Sequence, residues 1–170
     1  MSILQWLGLA PRSDSSSDAG VVRRVARALE ALPAERAEYL GLFAFLLARV
    51  ANVDLHVADA ETEAMARIVE TAGHLPPDQA ALVVEIAKAE HRASGETQNY
   101  LAARTFRDQS SDAERMDLVH CLFAVAASDG VISVAEEEAI RGICSELRLT
   151  ERDYIDIRSA YSEHRSVNKA

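Results

Sequence analysis

Two carboxylate pairs are placed where they could do chemistry: Asp54 with Glu61, and Asp129 with Glu136. In each pair the Asp closes an apolar stretch, and the Glu follows seven residues later in the first turn of the next expected helix. Glu61 precedes Met65 and Ile68 by four and seven residues, and Glu136 stands in the same relation to Ile140 and Ile143. Residues at those spacings share a helix face. Each Glu therefore lies at the edge of an apolar stripe, where an uncompensated carboxylate is costly. A hard divalent cation could compensate it through carboxylate oxygens, and so could the N–H groups at a helix N-terminus. The first reading makes Asp54, Glu61, Asp129 and Glu136 the ligands of a divalent metal ion of unknown identity. The second makes them helix caps: Ser133-Val134-Ala135-Glu136 spells a capping box, in which each side chain bonds the other residue's backbone N–H.

A calcium loop of EF-hand type is excluded. Gly130, Ile132, Ser133 and Glu136 fall at positions 6, 8, 9 and 12 of such a loop, but positions 1 and 3 would be Val125 and Ala127, which offer no ligand oxygen. The first loop has Leu55 where the glycine would stand. Nothing else in the chain spells a reaction. His56, His74, His91, His120 and His164 lack metal-binding spacing, and there is no nucleophile elbow or phosphate-cradling glycine loop. Cys121 and Cys144 sit among apolar residues without a CxxC spacing and read as small core residues. Asp117 and His120, one turn apart, read as a surface pair.

The elements that must position the carboxylates repeat. With a constant shift of 75 residues, Leu47–Asp78 aligns on Leu122–Asp153 without a gap. The two stretches share Leu47/Leu122, Val50/Val125, Ala51/Ala126, Asp54/Asp129, Ala60/Ala135, Glu61/Glu136, Glu63/Glu138, Ala64/Ala139, Ile68/Ile143 and Asp78/Asp153. This is the signature of an internal duplication. The expected architecture is all-α, a compact bundle of about eight or nine helices built on two pseudo-symmetric helix-loop-helix repeats. Length (170 residues) and an Ala/Leu/Glu/Arg-rich composition fit one helical domain of ordinary core size.

Along the chain, Met1–Ala10 is an apolar segment with Trp6, and Pro11–Gly20 a Ser/Asp-rich flexible linker. The helical domain then runs over residues 21–163, with a central helix near Ala34–Asn52 that is apolar over more than half its circumference. Gly73 is expected as the stop after one helix, and a polar tail from 164 to 170 is expected to fray. A net charge of −9 excludes binding to a phosphate backbone and favours cations or basic protein surfaces. No apolar run is long enough to span a bilayer, and no basic leader precedes the N-terminal segment, so a cytoplasmic location is expected. Membrane contact through residues 1–10 is disfavoured, because only Arg12 lies nearby. Docking of that segment on the domain, or on a second copy in a homo-oligomer, is the preferred reading.

An apolar helix, an Asp at its end, a short turn and a Glu-x-Glu-opened helix with two later isoleucines together resemble the TerB-like family. That family is named for tellurite-resistance proteins and is found also at the N-terminus of some DnaJ-like co-chaperones. Ala126-Ala127-Ser128-Asp129-Gly130-Val131-Ile132 with Glu136-Glu137-Glu138 carry the resemblance best, and Val53-Asp54-Leu55-His56-Val57 with Glu61 and Glu63 form a looser copy. The resemblance covers about Val22 to Tyr161. It implies an all-helical fold with pseudo-two-fold repeats, a metal site at Asp54, Glu61, Asp129 and Glu136, and an association with bacterial stress responses and membrane-proximal complexes; no catalytic reaction is established for the family. The reading that follows is a non-enzymatic helical interaction or scaffold domain with a protein partner and a divalent cation at the acidic loops. The alternative is a metal-dependent hydrolase using the same carboxylates, which would need an open coordination position.

Overall fold

The computed structural model describes residues 16–51, 59–90 and 96–168. Among them are eight α-helices and no strand: α1 Ser16–Glu30, α2 Ala34–Val50, α3 Asp59–Gly73, α4 Pro77–Glu90, α5 Glu96–Gln109, α6 Asp112–Ala126, α7 Val134–Glu146 and α8 Glu151–Ser159. The chain is all-α. Met1–Ala10, Asp54, His56 and residues 91–95 lie outside the described residues. Helix α1 begins at Ser16, inside the stretch expected as linker, since Ser and Asp suit a helix's first turn as well as a coil.

Helix α2 is the centre, as its apolar circumference requires. Leu40, Phe43, Ala44, Leu46 and Leu47 are fully buried, and α4 and α5 pack along it while α3 lies between α4 and α6. Tyr39, Phe43 and Phe106 form one ring cluster, with Tyr39–Phe106 centroids 5.1 Å apart and Phe43 meeting Phe106 edge-on at 6.2 Å. Polar pairs tie the outer helices to this centre. Arg36 donates from Nε and Nη2 to Gln79 Oε1 at 2.8 and 2.6 Å, joining α2 to α4. Arg49 forks onto Glu146 at 2.7 and 3.2 Å, joining α2 to α7.

The two stretches aligned in the sequence fall on the end of α2 with α3 and the end of α6 with α7; α3 packs along α6, while α7 touches both α6 and α2. Helices α3 and α7 are each followed by a left-handed residue that is not glycine, His74 at φ 50° and Arg148 at φ 56°. After α7 the turn is a Schellman motif: Leu149 N–H donates to Cys144 O at 3.0 Å and Arg148 N–H to Ser145 O at 3.1 Å.

The expected role of Gly73 is corrected here. It is the last residue of α3 and buried, and His74 takes the left-handed position instead. A Cβ on Gly73 would stand 3.0 Å from Cζ of Phe43. The glycine is needed for close packing against that ring, and His74 bears the strain of the turn.

Candidate functional site: the second acidic loop

The loop between α6 and α7 is built from consecutive local devices. Helix α6 starts on a capping box of Ser111 and Glu114 and ends through a 3-10 turn at Ala127–Asp129. Gly130 follows at φ 95°, the left-handed conformation that closes this turn, with its N–H donating to Ala127 O at 2.9 Å. Asp129 is exposed, and its Oδ1 accepts from Val131 N–H at 3.0 Å. Ile132 is fully buried and anchors the loop to the core. Ser133 then opens α7: Glu136 Oε2 accepts from Ser133 N–H at 2.8 Å and Ser133 Oγ at 2.7 Å, and Glu136 N–H donates to Ser133 Oγ at 3.2 Å. The capping box read from the sequence is thus formed. Ser133→Ala should lower stability by about 1 kcal/mol without altering the fold, which urea denaturation followed by helical circular dichroism will read; an unchanged midpoint would remove the cap from the account.

The C-terminal segment does not fray as its polarity suggests; through residue 168 it straps this loop. Tyr161 Oη donates to His120 O at 3.0 Å, and its ring stacks on Phe123 at 5.4 Å with a 13° interplanar angle. Ile132 N–H donates to His164 O at 2.7 Å, and Ser166 N–H donates to Ile132 O at 3.0 Å, an isolated parallel bridge between Ile132 and Arg165. Arg165 then forks onto Glu137, Nε to Oε2 at 2.7 Å and Nη2 to Oε1 at 2.7 Å, while Arg158 Nη1 reaches Oε1 at 3.3 Å. The Glu137 side chain is only 14% exposed. The hydrogen bonds from Arg165 hold its carboxyl below the ordinary value of 4.5, outweighing its burial. Sequence reading named Glu137 only within the Glu136-Glu137-Glu138 run and missed its pairing with Arg165, because nothing local pairs residues 28 positions apart.

The other expected groups resolve differently. Asp117 pairs across helices with His74, Nδ1 to Oδ1 at 3.0 Å. His120, expected as its surface partner, is half-buried beside Tyr161, with ring centroids 6.2 Å apart, and burial lowers its pKa. Cys121 and Cys144 are buried free thiols, each pushed up to about 12 chiefly by burial. They lack the thiolate character of a nucleophile. Glu61 is exposed in the first turn of α3, beside Thr62, whose hydroxyl accepts from Lys88 at 2.9 Å.

Among the described residues no group of three or more His, Cys, Asp and Glu side chains is placed to hold a metal ion. Glu61, Asp129 and Glu136 are therefore not brought together as one ligand set, and Asp54 lies outside the described residues. In the second loop one oxygen of Asp129 and one of Glu136 are committed to local N–H and O–H donors. These described contacts make the second loop a capped and strapped turn.

Beside exposed Ser128 and Asp129, this loop and the start of α7 present two apolar side chains outward. Val131 is 40% and Val134 52% exposed, on either side of buried Ile132, and Val167 of the strap is also exposed. Among the described residues no helix is long and apolar enough to cross a membrane. Comparison with known proteins gives one family: the model described as tellurite resistance protein TerB matches residues 41–159, a stretch that contains α3 to α8 and most of α2. No curated protein and no solved structure matches the chain.

Proposed function

Because the chain belongs to the TerB family, we propose that it is a non-enzymatic interaction domain of a bacterial, tellurite-resistance-like stress response in the cytoplasm. Its binding face is the second acidic loop with the start of α7. The exposure of Val131 and Val134 on a loop fixed from both sides carries this reading. Apolar side chains on a rigid edge give a partner buried area at small ordering cost, and the surrounding carboxylates favour a basic partner surface. The carboxylates of this loop work as caps and as the anchor of the strap.

Two measurements test the reading. A Val131→Ser/Val134→Glu variant leaves the core and the caps in place, and Glu in a first helical turn is compatible with the helix dipole. Affinity capture from tellurite-stressed cells should retain a partner with the native chain and lose it with this variant, at unchanged melting temperature. Capture that does not depend on the two valines would sink the proposal. The second measurement addresses the cation at Asp54, Glu61, Asp129 and Glu136. A cation that binds only the folded state raises its melting temperature by mass action. Ca²⁺, Mg²⁺, Mn²⁺ and Zn²⁺ added to metal-stripped protein are expected to leave it unchanged. A rise with one ion, lost in Asp129→Asn/Glu136→Gln, would instead establish the acidic loops as a metal site.

A further inference from the structure

The proposed binding face is partly filled by the chain itself, and the filling segment specifies a ligand. We propose that the edge formed by Ile132 and Glu137 is a recognition site for an extended, arginine-bearing protein segment, which His164-Arg165-Ser166 occupies in cis. This deepens the interaction-domain reading and rests on it. Three contacts define the ligand. A backbone carbonyl accepts from Ile132 N–H at 2.7 Å, and two residues later a backbone N–H donates to Ile132 O at 3.0 Å. The residue between them forks a guanidinium onto both oxygens of Glu137 at 2.7 Å.

The backbone pair is the register of strand addition, in which main-chain bonds give affinity and an alternate side chain gives specificity. The planar fork selects Arg over Lys, which offers a point charge without a matching geometry. Arg158 contacts Glu137 from α8 at 3.3 Å and holds the carboxylate toward the incoming group. The receiving residues Ile132 and Glu137 lie within the family-matched stretch, whereas the occupying residues lie beyond its end at residue 159. The net charge of −9 favours a basic ligand at the same edge.

The probe is a fluorescent peptide with the chain's own residues 162–170, SEHRSVNKA, titrated against the full-length native chain, Arg165→Ala, and Arg165→Ala/Glu137→Gln. A tethered segment competes at an effective concentration in the millimolar range. Crippling it should therefore tighten peptide binding by about tenfold or more in Arg165→Ala. The gain should vanish with Glu137→Gln, and a peptide with Ala in place of its Arg should not bind. If Arg165→Ala loses helical signal, Arg165→Lys serves as receptor, keeping the charge without the fork. Equal affinity of the native chain and the Arg165 variants, or indifference to Glu137→Gln, overturns the proposal. So does binding that coincides with a doubled solution mass, since tail exchange between copies would then be the occupant. A partner that depends on Val131 and Val134 but binds the native chain and Arg165→Ala alike refutes this site and leaves the interaction-domain reading standing; absence of any valine-dependent partner refutes that reading itself.

Discussion

Phe43→Ala should lower the unfolding free energy by about 3–5 kcal/mol, the cost of truncating a fully buried aromatic side chain. The ring is 0% exposed, meets Phe106 edge-on and Tyr39 at centroid distances of 6.2 Å each, and fills the space that Gly73 leaves beside α3. Its removal should leave a cavity where α2, α3 and α5 meet. Gly73 makes the test specific. In the native background Gly73→Ala forces a Cβ to 3.0 Å from Cζ of Phe43, so overpacking should outweigh the gain in helix propensity. In the Phe43→Ala background the same methyl keeps only an ordinary contact with Cys121 Cβ at 3.8 Å and should cost nothing or stabilise. Urea denaturation of the four proteins gives the coupling between the two positions. Additive effects would mean that the ring and the glycine do not constrain each other.

Glu137→Gln carries the second largest expected effect, a loss of about 1.5–3 kcal/mol, the range for hydrogen bonds to charged groups. The substitution keeps the shape but removes the charge that two arginines share, leaving Arg165, with its side chain 19% exposed, without its counter-ion. The strap should loosen, seen as faster hydrogen exchange at the Ile132 and Ser166 amides. The pH dependence has a fixed sign. Glu137 titrates below its ordinary 4.5 in the folded state, because Arg165 hydrogen-bonds its ionised form, so below that pH the unfolded chain takes up the proton first. The stability from this group is present above pH 4.5 and is lost as pH falls through the folded-state value. Asp153 is also lowered, by its hydrogen bonds with Thr150, and titrates in the same acid region. Subtracting the Glu137→Gln profile from the native one isolates Glu137. His120 acts at higher pH: burial lowers its pKa, so stability declines as pH drops below about 6.5 toward its folded value. Parallel native and Glu137→Gln profiles between pH 3 and 5 would show that the strap's ion pair contributes nothing.

The sequence by itself determined whatever depends on neighbours a few residues apart. Ser111 with Glu114 and Ser133 with Glu136 are capping boxes because a box needs only residues three apart at the edge of an apolar run. Thr150 and Asp153, at the same spacing, form a third box. The central burial of α2 was equally legible, since a helix apolar on most sides has to be covered on most sides. The stop at Gly73 was misread because glycine is enriched at helix ends for its freedom at positive φ. Here its smallness beside Phe43 mattered, and that neighbour lies on another helix. The same reason separates the candidate site into two parts. Asp129 and Glu136 bond within the loop and could be read as caps, whereas His74 with Asp117 and Glu137 with Arg165 meet across distant elements. Such pairs have no period or spacing in the chain. They form once α3 lies on α6 and the C-terminal segment returns to Ile132, so only the tertiary structure could turn a polar tail into a strap.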